Sequence, residues 1–120
     1  MSFEDFLKEY WFNNIKWILK NPKKYNFIKT CNTYPIIKKE YTKNQSTTIF
    51  LEKIKIAIET KEIAIAETQL VFNSFLGIRD SLVLYVLESQ KTKVEIDKIS
   101  NDFLNRLYFF LNYKNIDKYS

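Results

Sequence analysis

Glycine occurs once and proline twice in 120 residues, and no other feature limits the fold as strongly. Tight hairpins depend on Asn-Gly, Asp-Gly or similar pairs at fixed offsets between strands. The single glycine lies inside the apolar run "FLGI", and the prolines stand in "NP" and "YP". The chain therefore has almost no turn chemistry for a sheet. Its apolar residues recur three and four apart, the spacing that lines one face of a helix. The expectation is an all-α fold of about six helices, forming one domain over residues 1–120.

Local signals place the elements. In "SFED", Ser2 is an N-cap three residues before Asp5, a start resembling a capping box. Phe3, Phe6, Leu7, Tyr10, Trp11, Asn14, Trp17 and Ile18 trace one face of the first helix, which stops before Pro22. Asn21-Pro22 restarts the chain, because Asn caps well and Pro is pre-set for the first helical position. The short second helix shows Tyr25, Phe27, Ile28 and Cys31 on its apolar side. Pro35 disfavours helical geometry at Tyr34, so "NTYP" reads as a corner between helices. A third helix covers roughly 37–60, with a weak spot at "NQSTT" and Phe50, Ile54, Ala57 and Ile58 as its buried stripe. "ETKEIAIAET" reads as a linker.

Two longer helices follow, about 66–90 and about 94–112, and both are apolar on more than one side. In the first, Leu70, Ser74, Phe75, Ile78, Leu82, Tyr85 and Val86 make one stripe. Val71, Phe72, Leu76, Val83 and Leu87 make a second. Ser74 and Gly77 are small enough to let another backbone come close. In the last helix, Ile96, Ile99, Phe103, Leu107 and Phe110 make one stripe, and Leu104, Tyr108 and Leu111 add another. Asp102 and Arg106 suit an i,i+4 pair on its wet side. A helix with two apolar stripes needs cover on two sides. A twofold dimer in which these helices form a four-helix bundle supplies it. Both being central helices of a monomeric bundle is the alternative. The dimer reading assigns its interface to Ile78, Arg79, Leu82, Val86, Phe103, Leu107 and Phe110.

Composition removes several functions. There is no histidine and one cysteine. That excludes histidine-based catalysis, speaks against a transition-metal cluster, and points to a reducing, cytoplasmic setting. No convergent catalytic set is visible, so an enzyme is not expected, and no cofactor or metal is assigned. The longest uncharged run, 68–78, is too short for a bilayer, and no signal peptide is visible. Aromatics make up 17 % of the chain, enough to line a cavity or a subunit contact besides the core.

The net charge of +5 is uneven. The first sixty residues hold 11 basic and 6 acidic groups, and the last sixty hold 8 of each. The excess lies between Lys20 and Lys43, where seven lysines face only Glu40. A solvated face, an anion-attracting rim and a nucleic-acid surface all fit such a run. No nucleic-acid motif accompanies it.

"FLKEYWFNNIKWILKNPKKYNFIKTCNTYPIIKKEY" resembles the start of the effector-binding domain of TetR-family transcriptional regulators. The matching features are Trp17, Asn21-Pro22, Tyr25, Phe27, Ile28, Ile36, Ile37 and Glu40. "FNSFLGIRDSLVLYVLES" and "ISNDFLNRLYFFLN" resemble that family's last two helices. The resemblance implies a dimerising, ligand-sensing domain with an internal pocket for a small, largely apolar effector. It also implies that the family's helix-turn-helix headpiece is absent, so DNA is reached only through a headpiece missing from this chain. Trp11, Asn14, Phe27, Tyr34, Phe50, Ile54 and Phe75 are the candidate lining, each with core packing as its plainer role. Arg79, within an apolar helix, needs an acid partner or an acidic ligand. Cys31 reads as a small buried hydrophobe. The competing function is a small basic helical binding or inhibitor protein, bacteriocin-immunity-like or phage-encoded, monomeric and without a pocket.

Overall fold

A computed structural model of the protein describes residues 2–31 and 45–112. These residues form five α-helices and no strand: α1 (Phe3–Lys20), α2 (Pro22–Cys31), α3 (Gln45–Glu59), α4 (Thr68–Glu88) and α5 (Lys93–Leu111). The expected corner at "NTYP", Tyr34 with it, and the early part of the expected third helix lie outside the described residues, as does the Cys31 side chain. The count of about six helices is therefore met only as five within the described spans.

The first helix begins as its sequence dictates. The Ser2 hydroxyl accepts the Asp5 backbone N–H at 3.2 Å, satisfying one of the orphan donors of the first turn. Glu62 adds a second anchor, its Oε2 accepting the Phe3 backbone N–H at 2.8 Å. At the junction with α2, the side chain of Asn21 works backwards. Its Nδ2 donates to the Trp17 carbonyl at 2.9 Å, closing the end of α1, while the Asn21 carbonyl accepts from Tyr25.

Helix α3 ends in a left-handed turn. Lys61 has φ 60°, its N–H bonds the Ile58 carbonyl, and the Glu62 N–H reaches back to Ala57. This is a Schellman closure with lysine where glycine is usual. The stretch read as a linker is more than a connection. Ile63 and Ile65 are buried, and the Ala64 and Ile65 N–H groups both donate to the Leu111 carbonyl. The loop thereby occupies the open C-terminal end of α5. The start of α5 is capped by Thr92, whose hydroxyl accepts the Glu95 N–H at 3.2 Å and donates to Glu95 Oε1 at 3.1 Å.

Helix α4 is the hub, in contact with α1, α3 and α5. Its buried residues are Val71, Phe72, Phe75, Leu82, Val83 and Val86. They come from both of the stripes drawn on the sequence. At 100° per residue those stripes merge into one broad face, and Leu70, Ser74 and Tyr85 turn away from it. Leu7, Trp11, Ile15 and Ile18 are buried on α1, which packs against both α4 and α5. Trp11 locks this arrangement. Its indole N–H reaches the Ser100 hydroxyl at 2.9 Å and the Ser100 carbonyl at 3.1 Å, which meets the need of a buried ring N–H for an acceptor.

Candidate functional site

Of the expected pocket residues, the structure brings four together. Trp11, Phe50, Ile54 and Phe75 are fully enclosed. The three aromatic rings meet: Phe50 and Phe75 lie 4.8 Å apart, and Trp11 stands edge-on to Phe75 at 5.7 Å. Tyr10 stacks on Phe50 at 4.5 Å. This cluster joins α1, α3 and α4. Trp11, Phe50, Ile54 and Phe75 line none of the described clefts; Tyr10 borders a shallow one with Phe6, Ser46 and Ile49. Phe27 is elsewhere, 70 % exposed on α2.

Asn14 belongs to a polar cluster that joins α1, α2 and α4. Arg79 stands three and four residues from Phe75, Leu82 and Val83, on the buried face. Its Nε and Nη2 donate to Asp80 Oδ1 at 3.1 and 3.0 Å, and Nη1 donates to Asn14 Oδ1 at 3.1 Å. The Tyr25 hydroxyl donates to the same Asp80 oxygen, and the guanidinium sits over the Tyr25 ring, 5.6 Å from its centroid. So Arg79 finds its acid on its own helix. With 12 % of the side chain accessible, the charge needs this pairing.

Burial, and then the hydrogen bond to Asp80, push the Tyr25 phenol well above its usual range. Folding therefore favours the protonated ring. The resulting stability is fully present below pH of about 10, the unfolded value, and is lost as pH rises through the higher folded value. Tyr25→Phe is expected to flatten the decline of stability above pH 10, measured by chemical denaturation at a series of pH values. It also removes the hydroxyl bond at neutral pH, at a cost of about 1 kcal/mol.

The residues assigned to a dimer contact divide. Leu82, Val86 and Leu107 are buried within one chain, and Arg79 is committed to the polar cluster. A second copy could not reach them without rearrangement. Ile78, Phe103 and Phe110 are half-buried at the edge of the core. What α4 presents outward is a different set. Leu70, Ser74, Gly77, Ser81 and Leu84 follow one another at intervals of four, three, four and three. That is the spacing of a coiled-coil seam, with leucine at the two ends and small residues at the three central positions. Leu70 and Leu84 are 44 % and 55 % exposed, with Tyr85 and Leu87 exposed alongside. No charged residue interrupts the five. Gly77, at the midpoint, has no neighbouring atom within 4 Å of the place a Cβ would take. The missed signal was in the spacing: Ser81 and Leu84 extend Leu70, Ser74 and Gly77 in register.

Helix α4 is also long and apolar enough to cross a bilayer by length and composition, though 33 % of its most apolar window is buried in the protein. The charges that interrupt it, Arg79 and Asp80, are held against α1 and α2. A further surface feature lies between α1 and α5, an open groove of about 690 Å³ lined by Phe12, Ile15, Leu19, Ile96 and several lysines.

No family model, no curated protein and no solved structure matches the chain.

Proposed function

We propose that the protein is a dimerising, ligand-responsive regulatory domain, of the kind its TetR-like sequence features imply, rather than an enzyme. The observation that carries this reading is the outward seam of α4. Leu70 and Leu84 flank Gly77 symmetrically, seven residues to either side. A twofold axis passing near Gly77 brings Leu70 of one copy towards Leu84 of the other and lets the two backbones approach closely. An effector that binds one arrangement of the helices better than another would bias this dimer. DNA would be reached only through a headpiece outside this sequence, and the setting would be cytoplasmic.

A cysteine at the seam tests the geometry. Gly77→Cys, in a chain whose Cys31 is replaced by Ser, is expected to oxidise mainly to a disulfide-linked dimer. A twofold axis there puts the two Cα atoms within the roughly 7 Å that a disulfide spans. A folded variant that stays uncrosslinked under mild oxidant contradicts the reading.

One observation favours the rival, a basic binding protein. Trp17 and Phe27 are exposed on α1 and α2 among Lys16, Lys20, Lys23 and Lys24, an aromatic and cationic surface suited to an acidic partner. That reading requires a monomer.

A further inference from the structure

The groove between α1 and α5 has two chemically distinct parts. Phe12 and Leu19 of α1 and Ile96 of α5 are half-buried along it, and Ile15 closes its floor. Lys16 and Lys20 border it from α1, and Lys93 from the first turn of α5. All three lysines are exposed, and Asp97 is the single acid among the lining residues. An apolar trough edged by three ammonium groups and one carboxylate is complementary to an apolar chain ending in an anion. Its volume, about 690 Å³, falls within the usual range for small-molecule sites, which are mostly apolar with a few polar groups to fix orientation.

We propose that this groove binds a single-chain anionic amphiphile, a medium-chain carboxylate, with the alkyl chain along Phe12, Ile15, Leu19 and Ile96 and the head group among Lys16, Lys20 and Lys93. The proposal deepens the ligand-sensing reading above by naming a site and a ligand class, and it rests on that reading only for its biological role. The site adjoins Trp11 through Ser100, which accepts the Trp11 N–H and also lines the groove. Occupancy should therefore be felt at the Trp11 indole. The chain has two tryptophans, so Trp17→Phe leaves Trp11 as the only reporter.

The experiment titrates the Trp17→Phe protein with dodecanoate below its micellar concentration. Trp11 emission and calorimetry are read in parallel, and dodecan-1-ol and dodecyltrimethylammonium are run beside it. Saturable binding of dodecanoate is expected, weaker by about tenfold for the alcohol and absent for the cation, with affinity falling as salt screens the rim. Lys16→Glu/Lys20→Glu/Lys93→Glu changes only exposed positions and should weaken dodecanoate binding by about tenfold or more, in keeping with reversal of the local field. Circular dichroism of the triple variant checks that it folds. A milder Lys→Gln triple, giving an intermediate loss, keeps the test valid if the charge reversal fails to fold.

Equal binding of the alcohol, or dodecanoate affinity indifferent to the lysines, would overturn the proposal. So would co-sedimentation with phosphatidylglycerol vesicles in the absence of dodecanoate binding, which would assign the lysines to a membrane surface. Sedimentation of the same samples reads the dimer separately, so failure of the groove and failure of the regulatory reading give different results.

Discussion

Phe50→Ala should destabilise the protein by about 4 kcal/mol, the range for deleting an enclosed aromatic ring. Phe50 has no accessible surface and meets four rings: Tyr10 at 4.5 Å, Phe75 at 4.8 Å, Phe72 at 5.8 Å and Phe6 at 6.2 Å. Its removal takes away the transfer energy of the ring and leaves a hole that α1, α3 and α4 cannot easily close. A domain of ordinary stability, roughly 5–15 kcal/mol, would lose much of its margin. The matched control is Phe27→Ala. That ring is 70 % exposed, and its loss should change stability by less than about 0.5 kcal/mol. Urea denaturation of both variants checks the pair. A small effect at Phe50 would show that the cluster encloses space rather than filling it, which would return these residues to the ligand pocket implied by the sequence resemblance.

Leu84→Glu is expected to separate the proposed dimer without unfolding the chain. Leu84 is more than half exposed in one chain, so the folded protomer has little to lose from the change. At the seam the glutamate would have to be desolvated without a partner. A penalty of about 3 kcal/mol raises the dissociation constant by about 100-fold. Helical circular dichroism should be retained while the sedimenting mass falls. Lys98→Ala, on an exposed position of α5, should leave the assembly unchanged. If Leu84→Glu leaves the mass unaltered, the contact between copies lies elsewhere.

The parts of the fold that were legible in the sequence are those set by neighbouring residues. Ser2 caps α1 as its spacing to Asp5 implies, Asn21-Pro22 separates α1 from α2, and the ends of α4 and α5 fall within about two residues of the expected positions. Asp102 and Arg106 pair at 2.9 Å on the exposed side of α5. Caps, proline restarts and i,i+4 pairs are decided within one or two turns of chain. Thr92 and Glu95 carried the same kind of local signal.

The rest depended on partners far away in sequence. Ile63 and Ile65 lie in a charged stretch without turn residues, and the acceptor that holds the loop is the Leu111 carbonyl. Arg79 is balanced by Asp80 next to it, but its place is fixed by Asn14, 65 residues earlier. The first stripe drawn on α4 divides for a different reason, with Leu70 and Tyr85 exposed and Phe75, Leu82 and Val86 buried. Grouping Leu70, Ser74 and Tyr85 with Phe75, Leu82 and Val86 spans too wide an arc to be one face of a helix. Only the packing of α1, α3 and α5 shows which half of α4 is covered. The same holds for the groove between α1 and α5, whose lining comes from segments some eighty residues apart.

The central claim is that the outward seam of α4 is covered by a second copy. Sedimentation equilibrium of the unmodified protein at tens of micromolar tests it most directly. The account predicts a mass twice the 14.5 kDa of the chain. A mass that stays at 14.5 kDa across that concentration range contradicts it and favours the basic monomeric binding protein.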